Sequence, residues 1–132
     1  MKITAWKAKE LEISTPNQVG AGATVAAVLA EQKINILGLC GYSGENGKAH
    51  LLMVLDDPAK ATKALRKAKY GITANDVVLV EMPRSPGALL AVMNKLATKD
   101  VDIDYAYATG AGNKSCVVLR VKKPSVAIKA LS

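Results

Sequence analysis

Between residues 10 and 15 apolar and polar side chains alternate, with Leu11 and Ile13 on one face, as in a half-buried strand. Pro16 ends that pattern, and residues 17–22 are loop material leading into a helix over 21–32. There the spacing changes: Val25, Val28, Leu29 and Gln32 recur at helical intervals, with Ala26 and Ala30 alongside. Two more apolar runs, 34–40 and 49–55, flank a Gly-rich turn over 41–48 and predict a hairpin. Asp57-Pro58 pairs a favoured N-cap with a favoured first helical residue, predicting a helix to about Tyr70, ended by Gly71.

The pattern then recurs. Displaced by 67 residues, 11–36 lies on 78–103 without a gap. With one residue dropped from the next loop, 51–65 lies on 117–131. Pro16, Gly20, Ala21, Val25, Leu29, Ala30 and Ile36 meet Pro83, Gly87, Ala88, Val92, Leu96, Ala97 and Ile103. The alignment holds 12 identities in 41 positions, against roughly three expected by chance. So long a period suits two copies of a small domain rather than a solenoid. The second copy is expected to hold strand 77–82, helix 86–99, hairpin strands 101–108 and 115–122, and helix 124–131.

Each copy reads β-α-β-β-α. A crossover helix joins the first two strands, and a hairpin joins the second and third. With a fourth strand this is the ferredoxin-like βαββαβ unit, an α+β fold with an antiparallel sheet and helices on one face. The expected domains are 1–73 and 74–132, paired side by side. Residues 70–83 have room for a short strand near Ile72 and one full strand, while nothing follows the last helix. The second copy's fourth strand is therefore missing, or is supplied by the extended residues 2–6 or by a partner chain.

Composition narrows the class. The 132 residues are 50% hydrophobic and 22% charged, globular rather than disordered. Ala supplies 21 of them and Phe none, so the core is aliphatic. No apolar run approaches the roughly 20 residues of a membrane helix, and the opening residues lack the apolar stretch of a signal peptide. Cys40 and Cys116 make no disulfide framework and no zinc spacing, so a cytoplasmic setting with free thiols is expected, with no membrane partner. The net charge of +7 raises nucleic acid or an acidic partner as a question.

The repeated segment runs Pro-x-x-x-Gly-Ala, then an amphipathic helix, then a short apolar strand. In the second copy, Met82-Pro83-Arg84-Ser85-Pro86-Gly87-Ala88-Leu89 resembles the strand-to-helix signature of ACT domains. Leu29-Ala30-Glu31-Gln32-Lys33-Ile34-Asn35-Ile36 resembles the same family's helix end and second strand. Together the copies cover nearly the whole chain, which is similar to small stand-alone tandem ACT proteins. The first copy departs from the pattern, with Val19 for the usual Pro and Gly22 for the usual Leu.

The resemblance implies a non-catalytic regulatory module binding an amino acid or related metabolite where two domains pair. The ligand would sit between the first loop of one domain and the second strand of its neighbour. It also implies a homodimer, and a regulated enzyme as a partner. Expected ligand-binding residues are Asn17, Gln18, Val19, Gly20, Ala21 and Asn35 in the first copy. In the second they are Arg84, Ser85, Pro86, Gly87, Ala88 and Asp102. Chemistry supports the loops independently: a helix N-terminus favours a carboxylate, and glycine there lets a ligand approach. Asn17 and Asn35 match positions where related amino-acid-binding domains carry Asn. Arg84 could grip a carboxylate through two hydrogen bonds.

Competing signals are weaker. Gly20-Ala21-Gly22 lacks the third glycine and the later acid of a dinucleotide fingerprint. Asp100, Asp102 and Asp104 begin like a calcium loop, but its sixth position is Tyr105 and its twelfth Ala111. His50 stands without a nucleophile, so no catalytic residue, metal or cofactor is expected. Lys60, Lys63, Arg66, Lys67 and Lys69 form a basic helix face, read as solvated. RNA binding on this fold needs stacking aromatics; Tyr105 and Tyr107 share a strand face, but no Phe exists, so no nucleic-acid partner is expected. The alternatives are a regulatory subunit that acts by protein contact, its small-molecule site vestigial, and, ranked below it, an RNA-binding ferredoxin-like protein using the basic helix face.

Overall fold

The computed structural model describes the whole of Met1–Ser132. Its elements are β1 (Thr4–Pro16), α1 (Ala21–Glu31), β2 (Ile36–Ser43), β3 (Lys48–Leu55), α2 (Pro58–Lys67), β4 (Gly71–Pro83), α3 (Ala88–Thr98), β5 (Ile103–Ala111), β6 (Lys114–Val121) and α4 (Pro124–Leu131). They form two compact units: a first, Lys9–Asn75, and a second, Met1–Ala8 with Asp76–Ser132.

In the first unit the strand order is β2-β3-β1-β4, and β3 pairs antiparallel with both neighbours. The register sets Leu11 opposite Met53 and Ile13 opposite Leu51. These side chains share the face covered by Val25 and Leu29 of α1 and by Ala61 and Leu65 of α2. The hairpin turn is built on Asn46 (φ 60°) and Gly47 (φ 70°), two left-handed residues in succession. That pair matches the right-handed twist of the strands it joins.

The second unit repeats the plan, in the order β5-β6-β4-β1. Val78, Val80, Val92, Leu96, Leu119, Val121, Ala127 and Leu131 occupy the interior. Each is the repeat partner of a first-unit core residue: Leu11, Ile13, Val25, Leu29, Met53, Leu55, Ala61 and Leu65. Four of the identities detected in the sequence, at Val25/Val92, Leu29/Leu96, Ala61/Ala127 and Leu65/Leu131, are therefore interior contacts. Ile3, just before β1, and Ala5 within it pack against this core.

Three local readings change. Residues 4–6 of the segment 2–6 and all of 10–15 belong to one strand, β1, and the short strand near Ile72 runs on into 77–82 as β4. The sequence pattern treats each pair as separate strands. However, neither Pro nor Gly interrupts the backbone there, and the fully buried Glu10 carboxylate accepts a 3.3 Å hydrogen bond from Asn75 Nδ2. Secondly, α2 stops at Lys67, not near Tyr70, and Gly71 belongs to β4. Lys69 is the left-handed residue that reverses the chain (φ 72°), and Tyr70 N–H closes onto the Leu65 carbonyl at 3.1 Å. Lys33 and Asp100 do the same after α1 and α3. Thirdly, α3 begins at Ala88, after Gly87 (φ 86°), and Pro86 lies in the preceding loop. No helix is long and apolar enough to cross a membrane.

Candidate functional site

In the second unit, the turn from β4 into α3 borders a cleft of about 300 Å³. Met82, Pro83, Pro86, Leu89, Ala108 and Val117 make its walls largely apolar, while Arg84, Ser85 and Ser115 supply polar atoms. The loop is held by backbone bonds. Arg84 N–H donates to the Asn113 carbonyl at 2.8 Å, and Ser85 N–H to the Pro83 carbonyl at 3.1 Å. The Arg84 side chain lies along the β5–β6 hairpin. A Cβ on Gly110 would stand 3.3 Å from its Cδ and Nε, so glycine makes room for the stem. Its Nη1 reaches the Gly112 carbonyl only at 3.5 Å, a weak bond that leaves most guanidinium donors unengaged. Neither a capping side chain nor an acidic residue neutralises the first turn of α3. An anion at this rim meets a fixed positive charge and a helix N-terminus together.

The equivalent loop of the first unit has different chemistry. Asn17, Gln18, Val19 and Gly20 are exposed, and Ala21 is half-buried. Asn17 N–H donates to the Gly47 carbonyl at 2.7 Å, tying the loop to the β2–β3 hairpin. Thr24 donates to the Gly20 carbonyl from both its amide and its hydroxyl, at 3.0 and 3.1 Å. Gly20 (φ 87°) takes the backbone shape of Gly87, as the repeat requires.

Asn35 and Asp102 do not join these loops within their own units. Each sits at the start of a hairpin strand, and the loop lies beyond the strand's other end. Eight residues of β2 span roughly 25 Å. Asn35 N–H donates to Asp56 Oδ1 at 3.0 Å, and Asp56 N–H returns a bond to the Asn35 carbonyl at 3.2 Å. Asp102 borders a separate cleft with Asp100, Lys122 and Lys123.

The sequence matches a family model described as an ACT domain pair over residues 6–131. The chain belongs to the ACT domain pair family. The structure of protein BT0572 from Bacteroides thetaiotaomicron is similar at 35% identity and TM-score 0.85, covering 96% of this chain and 88% of that one. The ligand-free regulatory subunit of aspartate kinase from Thermus thermophilus shares the fold at 17% identity and TM-score 0.72, covering 98% and 93%. The regulatory subunit of aspartate kinase from Thermus flavus does so at 18% and 0.66, covering 99% and 95%. No curated protein matches the sequence.

Elsewhere in this ACT pair, His50 stacks on Tyr42 with ring centroids 5.3 Å apart, and its Nδ1 stands 4.0 Å from Glu12 Oε1. A Cβ on Gly44 would come within 2.9 Å of the imidazole, so glycine leaves room for the ring as it stands. Tyr105 and Tyr107 are half-buried on one face of β5. Burial, reinforced by the neighbouring Glu81 carboxylate, pushes the Cys116 thiol above its ordinary range. Sequence reasoning missed Ser115, Ala108 and Val117 as cleft residues. Their place follows from the β6 register, which sets Met82 opposite Ser115 and Ala108 opposite Val117. A hairpin register of this kind leaves only the Gly-Asn turn at 112–113 as a signal in the sequence.

Proposed function

We propose that this ACT pair is a non-catalytic regulatory protein that binds an amino acid or related metabolite beside its strand-to-helix loops. The observation that carries the reading is the cleft at Arg84: apolar walls, one under-used guanidinium, and an uncapped helix N-terminus at the same rim. Such a site suits a carboxylate attached to a small apolar group. Gly87 and Ala88 complete this loop, and Asn17 to Ala21 form its counterpart in the first unit.

Because Asn35 and Asp102 lie far from their own loops, they would reach a ligand only from a neighbouring ACT domain. A homodimer supplies one. In the first unit β2 is an edge strand, and it exposes Leu37, Leu39 and Tyr42 to 58%, 54% and 49%. A long apolar edge of this kind favours pairing with another chain. By likeness to structures named as aspartate kinase regulatory subunits, the wider partner is an enzyme whose activity the ligand adjusts. The same apolar edge favours, as a second reading, regulation through protein contact alone. A cytoplasmic setting fits either.

A thermal-shift series with the twenty amino acids and common nucleotides tests the proposal, since a ligand that binds only the folded state raises Tm. At least one amino acid is expected to do so. No shift with any of them at millimolar concentration would overturn ligand binding and leave the contact-only reading, which recovery of an enzyme partner without added ligand would support.

A further inference from the structure

Each unit ties its strand-to-helix loop to the turn of its own hairpin. Asn17 N–H donates to the Gly47 carbonyl at 2.7 Å, and Arg84 N–H to the Asn113 carbonyl at 2.8 Å. The two turns hold glycine and asparagine in opposite order. In the first unit Asn46 (φ 60°) precedes Gly47 (φ 70°); in the second Gly112 (φ 61°) precedes Asn113. The asparagines of the chain stand before Gln18, Ile36, Gly47, Asp76, Lys95 and Lys114, so Asn46 alone precedes a glycine.

That order sets a side-chain carboxamide next to an unshielded backbone nitrogen. Asn46 and Gly47 are both exposed. The Gly47 amide donates to no backbone carbonyl, and beyond its chain neighbours no atom lies within 4 Å of where a Gly47 Cβ would stand. Glycine also keeps the rotational freedom needed to approach the carboxamide. The bond that closes the turn, from Lys48 N–H to the Glu45 carbonyl, is long at 3.3 Å. Asn113 differs, since the residue after it is Lys114, paired opposite Ala111 in the sheet.

We propose that Asn46-Gly47 is a site of spontaneous covalent modification that releases the loop of the first unit. The Gly47 nitrogen attacks Asn46 Cγ and a new C–N bond closes a cyclic imide. The Cγ–Nδ2 bond breaks, and Nδ2 leaves as ammonia with the proton from Gly47 N–H. Water then adds to either imide carbonyl and opens the ring. One opening gives aspartate on the original backbone. The other gives isoaspartate, in which the main chain runs through the former side chain and gains one carbon. Aspartate tolerates a left-handed φ as asparagine does. Isoaspartate does not fit a two-residue turn, whose geometry sets the hairpin register. It carries the Gly47 carbonyl away from Asn17, while the Arg84 loop keeps its anchor. The inference rests on the turn and not on what the loops bind.

The test is to hold the full isotope-labelled chain at mildly alkaline pH and physiological temperature. Peptide mass mapping with isoaspartate-specific methylation then follows each asparagine, and NMR hydrogen exchange follows the Asn17 and Arg84 amides. Conversion is expected at Asn46 ahead of every other asparagine. Loss of Asn17 protection is expected in step with isoaspartate, with Arg84 unchanged. The double variant Asn46→Gly/Gly47→Asn, which has the residue order of the second turn, is expected to keep Asn17 protected throughout. Asn46→Asp, the unrearranged product, is expected to keep it at the start. Conversion of Asn46 no faster than that of Asn113 would overturn the site. Isoaspartate at 46 with Asn17 still protected would overturn the release. So would equal loss of protection in the double variant, or absence of protection in Asn46→Asp from the outset, since charge alone would then account for it.

Discussion

Where β3 turns into α2 the first unit places Asp56 and Asp57, and where β6 turns into α4 the second places Lys122 and Lys123. Eight residues after Asp57 and Lys123, Leu65 and Leu131 enter the same interior position in both. The contrast separates two kinds of constraint. An interior position must fill a fixed volume among close-packed neighbours, so the repeat preserves it. A rim position must only keep the backbone soluble and correctly turned, and it is free to acquire new charge. The loops at Asn17 and Arg84 show the same split, since both keep the glycine that turns the chain and differ in what they offer a ligand.

The comparison is best broken at the core. Leu29 and Leu96 are 0% and 1% exposed at repeat-equivalent positions. Leu29→Ala and Leu96→Ala should each cost about 2–5 kcal/mol, read from urea unfolding. If only one of them destabilised the protein, the two interiors would not be equivalent. Ligand binding sharpens the contrast between the loops. Arg84→Ala should remove about 1.5–3 kcal/mol of affinity for the best thermal-shift hit, and Asn17→Ala about 0.5–1.5 kcal/mol, both without unfolding. Full affinity in both variants would place the ligand elsewhere.

The caps predict a smaller and unequal pair of effects. Asp57→Ala should cost about 1 kcal/mol, whereas Lys123→Ala should change stability by less than about 0.5 kcal/mol, because Lys123 caps nothing. Lys69→Gly relieves a left-handed lysine (φ 72°) and should gain up to about 1 kcal/mol.

The smallest effect concerns Cys116. Its thiol is held above its ordinary range, so the neutral form is favoured in the folded state. The associated stability is present below the ordinary thiol value and is lost as pH rises through the raised one. Urea midpoints should therefore fall more steeply at alkaline pH in the wild type than in Cys116→Ala.

Periodicity and the repeat together made the β-α-β-β-α order and most of the core readable, because apolar spacing records burial directly. The Asp57 cap was equally legible, since its chemistry is local: the Oδ1 acceptor and the Lys60 amide are three residues apart. The joins within β1 and β4 were not. Glu10 and Asn75 satisfy each other across 65 positions of sequence, and no local pattern reveals such a pairing. The Arg84 loop was visible through Pro83 and Gly87, whereas Ser115 and Ala108 reach the cleft only through strand register. The left-handed lysines escaped because glycine is the usual sign of such a turn.

The division of β1 also bears on how the molecule is made. Met1–Ala8 is synthesised before Lys9–Asn75, yet the unit it joins is composed otherwise of Asp76–Ser132. Lys9–Asn75 can collapse as soon as it is synthesised, while Met1–Ala8 waits for α4 before Ile3 and Ala5 gain their neighbours. The second unit thus closes by joining segments that the whole of Lys9–Asn75 separates, a step of high contact order and correspondingly slow. Until then its sheet edge stays open, and the nascent protein passes through a stage in which that edge is free to recruit the wrong strand.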